Sequence, residues 1–495
     1  MTNRPSGKMR PPPTTTETNM AATKKRSTGA ELRAWIERLW SGDRGQSSDT
    51  PPVPEATPFD RARLLAEALL SERGEASGAA VARELHAALR ELGEADRLAF
   101  LQFLAAGFMP DAAKLRKAAE AYLADPNPEA AGRLAEAAEP PRQELLRRMN
   151  LSPGGTAALV AMRRDVLATL RDRPELRALD VDLQHLFGSW FNRGFLELRR
   201  IDWNSPAAAL EKLITYEAVH EIAGWDDLRR RLGADRRCFA FFHPALPGEP
   251  LIFVEVALTE GLAAAVQPLL APLADDRAAA ASAARADTAI FYSISNCQEG
   301  LRGVSFGNFL IKQVVEELQA ELPRLTHFST LSPVPGFRRW MERRLAAGAE
   351  AGELLTPEER IRLPGPADDD AAQLSGALGT ADWWQEPALA DALAAPLVRH
   401  CAIYLTTGAG RGADPVARFH LGNGARLQRI NWLGNTASRG LQESWGIMVN
   451  YLYDLDFIEA NHEAFVRDGR VARSHAVDAL MAPPEAAPAP RRARA

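Results

Sequence analysis

Three glycines, Gly300, Gly303 and Gly307, lie between a strand-like and a helix-like run in "EGLRGVSFGNFLIKQVVEEL", Glu299 to Leu318. Glycine lets backbone N–H groups approach an anion closely, and a helix N-terminus adds unpaired donors and a favourable dipole end. Such a loop can cradle a phosphate; it can equally be a turn that opens a core helix. The Walker pattern G-x-x-x-x-G-K-S/T fails because Asn308 stands where the lysine belongs, and the dinucleotide pattern G-x-G-x-x-G fails on spacing. Downstream, "HFSTLSPVPGFRRW" puts Ser329, Thr330 and Ser332 at an expected strand end, before a rigid exit made by Pro333 and Pro335. Hydroxyls there are placed for chemistry beside a phosphate loop, although serines before a proline also serve as plain turn residues. His420 precedes Asn423-Gly424, a hairpin signal, so the spacing predicts His420 at the mouth of a turn between two strands. Its imidazole, with an ordinary pKa of about 6.5, suits proton transfer if a second group reaches it.

These residues need elements to hold them. "TAIFYSIS" alternates like a strand, and Phe306, Phe309, Leu310, Val314 and Leu318 follow helical spacing after the glycines. "CFAFFHP", "PLIFVEVAL", "THFSTLSP", "HCAIYLTT" and "ARLQRINWL" read as further strands, with helical stretches between them. Residues 187–478 are therefore expected to form a mixed α/β domain. Inside it, "AAGAEAGELLTPEERIRLPGPADDDAAQLSG" reads as an insertion of helix and polar loop. Residues 58–186 are rich in Ala, Leu, Glu and Arg with helical periodicity, which predicts an all-helical domain of bundle type, suited to packing or oligomerisation. Residues 1–57 and 479–495 are Pro-rich segments of disordered character. Within the first, Leu32, Trp35, Ile36, Leu39 and Trp40 share one face of a short helix that packs on the protein's own body.

A chain of 495 residues has room for two or three domains. A net charge of -5 argues against a nucleic-acid partner. Cys238, Cys297 and Cys401 are too few and too scattered for a disulfide framework or a CxxC metal site, and suit a reducing compartment. No uninterrupted apolar run reaches the roughly 18 residues of a membrane span. The N-terminus lacks an apolar signal core, which points to the cytoplasm. No HExxH, paired His/Cys set or carboxylate cluster indicates a metal, and no biotinyl-lysine motif is present. The basic cluster Arg229–Arg231 with Arg236 and Arg237 reads as a solvated helix face rather than a phosphate site.

Two resemblances sharpen these readings. "RGVSFGNFLI" resembles the R-G-x-G-x-G-x-x-L-L pyrophosphate loop of the GCN5-related N-acetyltransferase superfamily, with Ser305 in place of the middle glycine. Taken in order, "FNRGFLELRRIDWNSPA", "FYSISNCQEGLRGVSFGNFLIKQVVEEL", "FSTLSPVPGF" and "FHLGNGARLQRINWLGNTASRGLQESWGIMVNYLYD" resemble the malonyl-CoA decarboxylase family, over about residues 60 to 460. That resemblance implies a helical N-terminal domain followed by an acetyltransferase-like catalytic domain, and conversion of malonyl-CoA to acetyl-CoA and CO2 without metal or biotin. By position it implies His420 as proton donor, Ser329 as the base-like or carboxylate-contacting hydroxyl, and Tyr453 as a further active-site residue. It implies malonyl-CoA binding by Glu299, Gly300, Leu301, Arg302, Gly303, Val304 and Ser305, together with Ser329 and His420. A homo-oligomer, a tetramer for example, is the expected assembly. An acyltransferase of the same fold and a non-catalytic CoA-binding sensor are the alternatives. The first needs a groove and a base for an amine, and the second needs the Ser329 and His420 positions degenerated; both residues are present.

Overall fold

Side-chain and proline caps open the N-terminal helices. Thr57, Asp111 and Asn127 each accept a backbone N–H of the first turn that follows, and proline occupies the first turn of Pro58–Leu69, Pro128–Ala138 and Pro141–Asn150. The computed structural model describes residues 34–37, 57–70, 75–271, 275–304, 310–366, 368–407 and 414–481. The segments read as disordered lie outside the described residues except for 34–37, 57 and 479–481. Residues 34–37 are helical, with Trp35 and Ile36 buried as the periodicity requires, whereas Leu32, Leu39 and Trp40 fall outside.

The chain divides into two compact units. The first comprises Met1–Asn192 with Pro244–Leu246 and Gln298–Ser305. Its helices run from Pro58–Leu69 to Arg177–Trp190, so the expected domain edge at 186/187 falls inside a helix and the division lies a few residues later. Apolar residues at helical spacing, among them Leu65, Leu69, Leu85, Leu104, Leu145, Leu159, Val166 and Leu183, are fully buried. Two ion pairs, Arg142–Asp182 and Arg163–Asp180, are buried in the same unit.

The second unit is Arg193–His243, Pro247–Cys297 and Phe306–Ala495. It holds one eight-stranded sheet: β1 (Glu197–Ile201), β2 (Arg236–Phe242), β3 (Pro250–Thr259), β4 (Thr288–Asn296), β5 (His327–Thr330), β6 (Ser332–Pro333), β7 (Arg426–Asn431) and β8 (Met448–Leu452). The order is β1-β2-β3-β4-β5-β8-β6, with β7 also on β8. β4 and β5 are parallel and joined through the helix Leu310–Glu321; the other pairs are antiparallel. The parallel register runs from Thr288↔His327 to Phe291↔Thr330. Beyond it, the pairing of β4 among the described residues is with β3, from Ser293↔Glu255 to Asn296↔Ile252. The parallel pairing runs the full length of β5 to Thr330, and the N–H of Leu331 still bonds to the Phe291 carbonyl at 3.0 Å.

Two expectations are corrected. "HCAIYLTT" is not a strand but the end of the helix Pro387–Thr406. A short apolar run fits either element, and here it continues an apolar helical stretch. That helix has the length and mean hydropathy of a membrane span, yet it carries Asp391 and Arg399, and over half of the apolar window is buried inside the protein. The basic cluster is not a solvated face either. Arg231 and Arg236 are buried and paired with Glu255, Asp227 and Asp235, while Arg230 holds Asp235 and Arg237 holds Glu321.

Candidate active site

His420 lies on a helix, Pro415–Gly422, rather than between two strands. Asp414 caps that helix, its Oδ1 accepting the N–H groups of Val416 and Ala417 at 3.0 Å each. Asn423 and Gly424 then turn the chain into β7, with Gly424 at φ 82°. The carbonyl of Ile458 would lie 2.1 Å from any Cβ at that glycine, so the turn accepts glycine only. The other oxygen of Asp414 accepts the N–H of Gly336 at 3.2 Å and the hydroxyl of Tyr404 at 3.3 Å. One carboxylate therefore ties the His420 helix to the segment that leaves β6 through Pro333 and Pro335. Tyr404 stands so close to Gly336 that a Cβ there would meet its hydroxyl at 2.2 Å.

The ring of His420 is 3% exposed and sits between two hydroxyls. Ser332 Oγ is 3.0 Å from Nε2, and Tyr453 Oη is 2.8 Å from Nδ1. Ser332 in turn donates to Thr330 Oγ1 at 2.9 Å, which also accepts the backbone N–H of Tyr451 at 3.1 Å. With Ser332 donating to Thr330, its oxygen accepts from Nε2–H, and the phenol of Tyr453 donates to Nδ1. The neutral ring is thereby the Nε2–H tautomer. Tyr451 stacks on it with centroids 4.9 Å apart. Burial alone pushes the imidazole down to a pKa of about 3, so the ring is neutral near pH 7. Burial also drives the phenol of Tyr453 well above its ordinary value.

Ser329 is fully buried and faces elsewhere: its hydroxyl donates to the carbonyls of Tyr451 at 3.1 Å and Thr330 at 3.3 Å. Of the expected residues, the structure brings His420 and Tyr453 into contact, and the serine on the ring is Ser332. Thr330 and Ser332 were read with Ser329 only as strand-end hydroxyls placed for chemistry, and Tyr451 was not singled out; the Ser-Pro step at the strand end was the available signal. Asn450, fully buried, supports the same corner. Its amide donates to the carbonyls of Thr330 at 2.7 Å and Ala263 at 3.1 Å, and its oxygen accepts from Asn431 and Arg429.

The glycine loop belongs to the first unit. Glu299–Leu301 form a 3₁₀ turn, and Gly303 has φ 77°. Gly300 packs on the helix Gly155–Thr169 so tightly that a Cβ would lie 2.0 Å from the Val160 carbonyl oxygen. Arg163 Nη1 donates to the carbonyls of Gly300 and Arg302, both at 2.9 Å, and Gln184 donates to that of Gly303 at 2.9 Å. Within the loop the amides of Leu301, Arg302 and Val304 bond to Gln298, Glu299 and Leu301. Those three donors are committed to the turn, not open to a phosphate. Val304 is buried, the Arg302 side chain is exposed, and Ser305 lies outside the described residues with 306–309. Among the described residues no group of three His, Cys, Asp or Glu side chains is arranged to hold a metal ion.

The second unit is a mixed sheet in which a helix brings a buried imidazole between two hydroxyls, beside the end of a strand. Residues 194–490 match the malonyl-CoA decarboxylase C-terminal domain, and residues 108–191 match the malonyl-CoA decarboxylase N-terminal domain. The chain belongs to the malonyl-CoA decarboxylase family. It is 40% identical over 348 residues to the mitochondrial malonyl-CoA decarboxylase of Anser anser anser, covering 68% of this chain and 69% of that protein. For the Rattus norvegicus enzyme, also named mitochondrial, identity is 38% over 364 residues, covering 72% and 74%. The crystal structure of malonyl-CoA decarboxylase from Rhodopseudomonas palustris is similar at 52% identity and a TM-score of 0.74, over 85% of this chain and 98% of that one. That from Agrobacterium vitis is similar at 51% identity and a TM-score of 0.76, over 85% and 100%.

Proposed function

We propose a division of labour for the conversion of malonyl-CoA to acetyl-CoA and CO2, the carboxy-lyase reaction of the family to which the chain belongs. Breaking the bond to the carboxylate leaves an electron pair on the α-carbon, delocalised into the thioester carbonyl as an enolate. One proton must then be added to that carbon, so each turnover consumes a proton. In this proposal His420 supplies it. Because Ser332 occupies Nε2 and Tyr453 occupies Nδ1, a proton leaving the ring toward substrate passes through a hydroxyl. Ser332, at the strand end, gives its hydroxyl proton to carbon and is refilled from Nε2–H.

The ring must carry two protons for that step. Burial holds it neutral in the free enzyme, whereas the malonyl carboxylate brings a negative charge that favours the imidazolium. The C-terminal end of the helix Pro415–Gly422 favours that charge as well. Tyr453 keeps the ring oriented. Ser329 holds the strand end through Tyr451 rather than moving protons. The thioester is its own electron sink, so the proposal includes no metal and no biotin; chelator and avidin should leave the rate unchanged.

One parallel pair, β4/β5, within an otherwise antiparallel sheet supports the acetyltransferase-like reading of the second unit. In this proposal the loop Glu299–Ser305 holds the CoA end of the substrate. Three buried, unpaired cysteines support a reducing, cytoplasmic setting, which cell fractionation tests. A homo-oligomer belongs to the same reading and is tested by light scattering. The carrying observation is the Ser332–His420–Tyr453 contact. Its test is turnover of malonyl-CoA alone by the wild type, His420→Ala and Ser332→Ala.

A further inference from the structure

A cleft of about 380 Å³ opens among three helices of the first unit, Glu75–Arg90, Glu94–Gly107 and Gly155–Thr169. Its walls are apolar: Leu89, Phe100, Leu101 and Met162 line it, and the small side chains of Ala158 and Ala161 leave the space open. Arg90, Arg97 and Arg164 also line it, against a single carboxylate, Asp165. Arg97 and Arg164 share that carboxylate at 3.5 and 3.1 Å, so positive charge is in excess.

His86 lines the same space and is 5% exposed. Its Nε2 lies 2.9 Å from the carbonyl of Met149 and must donate to it; its Nδ1 has no hydrogen-bond partner. A buried ring nitrogen without a partner is uncommon in folded proteins. A pocket of this size, mostly apolar with a few polar groups, is the form of a small-molecule site.

We propose that this cleft binds an amphiphilic monocarboxylate of the fatty-acid type, its tail among the apolar side chains and its head among Arg90, Arg97 and Arg164. The excess guanidinium charge selects an anion. The guanidinium groups of Arg90, Arg97 and Arg164 and the carboxylate keep their charges between pH 6 and pH 8, so affinity is steady across that range. This site is independent of the decarboxylation chemistry.

Isothermal titration of the full chain with decanoate, below its aggregation concentration, tests the proposal, with decanol and decylamine as comparisons. The expected result is saturable binding of one decanoate per chain, with similar affinity at pH 6 and pH 8. Decanol and decylamine should bind at least tenfold more weakly. Ala161→Trp, which fills the cleft, should abolish binding, and Arg164→Glu should weaken it at least tenfold. Both variants should keep malonyl-CoA turnover, which shows that they fold. Absence of saturable binding, equal binding of decanol, or unchanged binding by Ala161→Trp would overturn it. So would Ala161→Trp altering the oligomeric state of a chain that takes up no decanoate.

Discussion

Ser332 Oγ lies 3.0 Å from His420 Nε2 and joins the end of a strand to the last turn of a helix. The two come from distant parts of the chain and are held in register by Asp414, which caps the helix and grips Gly336 just beyond the strand.

Removing that contact should cost catalysis rather than folding. Ser332→Ala is expected to lower kcat about 10²-fold with little change in KM. Ser329→Ala, three residues earlier, should keep kcat within a few-fold and lose about 1 kcal/mol of stability with its bond to the Tyr451 carbonyl. Steady-state kinetics and urea unfolding of both variants measure this. Equal rate losses would contradict the assignment.

Tyr453→Phe keeps the ring and deletes the hydroxyl on Nδ1. A roughly tenfold loss of kcat is expected, within the range of a positioned proton-transfer partner. Without the phenol oxygen to accept from Nδ1–H, the imidazolium loses a partner, so the basic limb of the kcat profile should move to lower pH. A purely structural tyrosine would leave that limb in place.

The buried histidines give stability a definite pH dependence. Burial is the first cause that lowers His420 to about 3 and His220 and His400 to about 4, against 6.5 in an exposed ring. The unfolded chain takes up these protons near pH 6.5, while the folded chain refuses them until pH 3 to 4. Stability is therefore full above pH 6.5 and falls as the pH drops toward 4. His400→Gln should flatten the slope by up to about 1.4 kcal/mol per pH unit. Urea midpoints at pH 7 and pH 5 decide it; equal midpoints for the wild type would contradict it.

Gly300→Ala should act on binding. A Cβ there meets the Val160 carbonyl oxygen at 2.0 Å, so the loop must move. The KM for malonyl-CoA should rise at least tenfold, with a smaller change in kcat. Arg163→Leu, which frees two loop carbonyls and leaves the buried Asp180 paired only with Arg177 at 3.7 Å, should raise KM too and cost about 3 kcal/mol. An unchanged KM in folded Gly300→Ala would remove the loop from substrate binding.

Much of the sheet was legible in the sequence. β2 to β5 and β7 announce themselves by β-branched and aromatic runs between turn residues. β1, "ELRRI", was missed because it is a charged edge strand, and β8, "MVNYL", because Asn450 breaks its apolar run. His420 stood out, but its helix did not, since the signals are a capping Asp414 and Pro415 in the first turn rather than a long periodic pattern. The choice between two serines could not be made from type or neighbourhood. Side chains alternate along a strand, and residues three apart face opposite ways. Thr330 and Ser332 therefore share the side of His420, and Ser329 turns away.

The proton-transfer account stands on one assay: malonyl-CoA with no added amine, following CO2 and acetyl-CoA for the wild type, His420→Ala and Ser332→Ala. Stoichiometric CO2 and acetyl-CoA are expected from the wild type, with rates down about 10²-fold or more in both variants. Turnover that requires an amine acceptor, or near-normal rates in both variants, would contradict it.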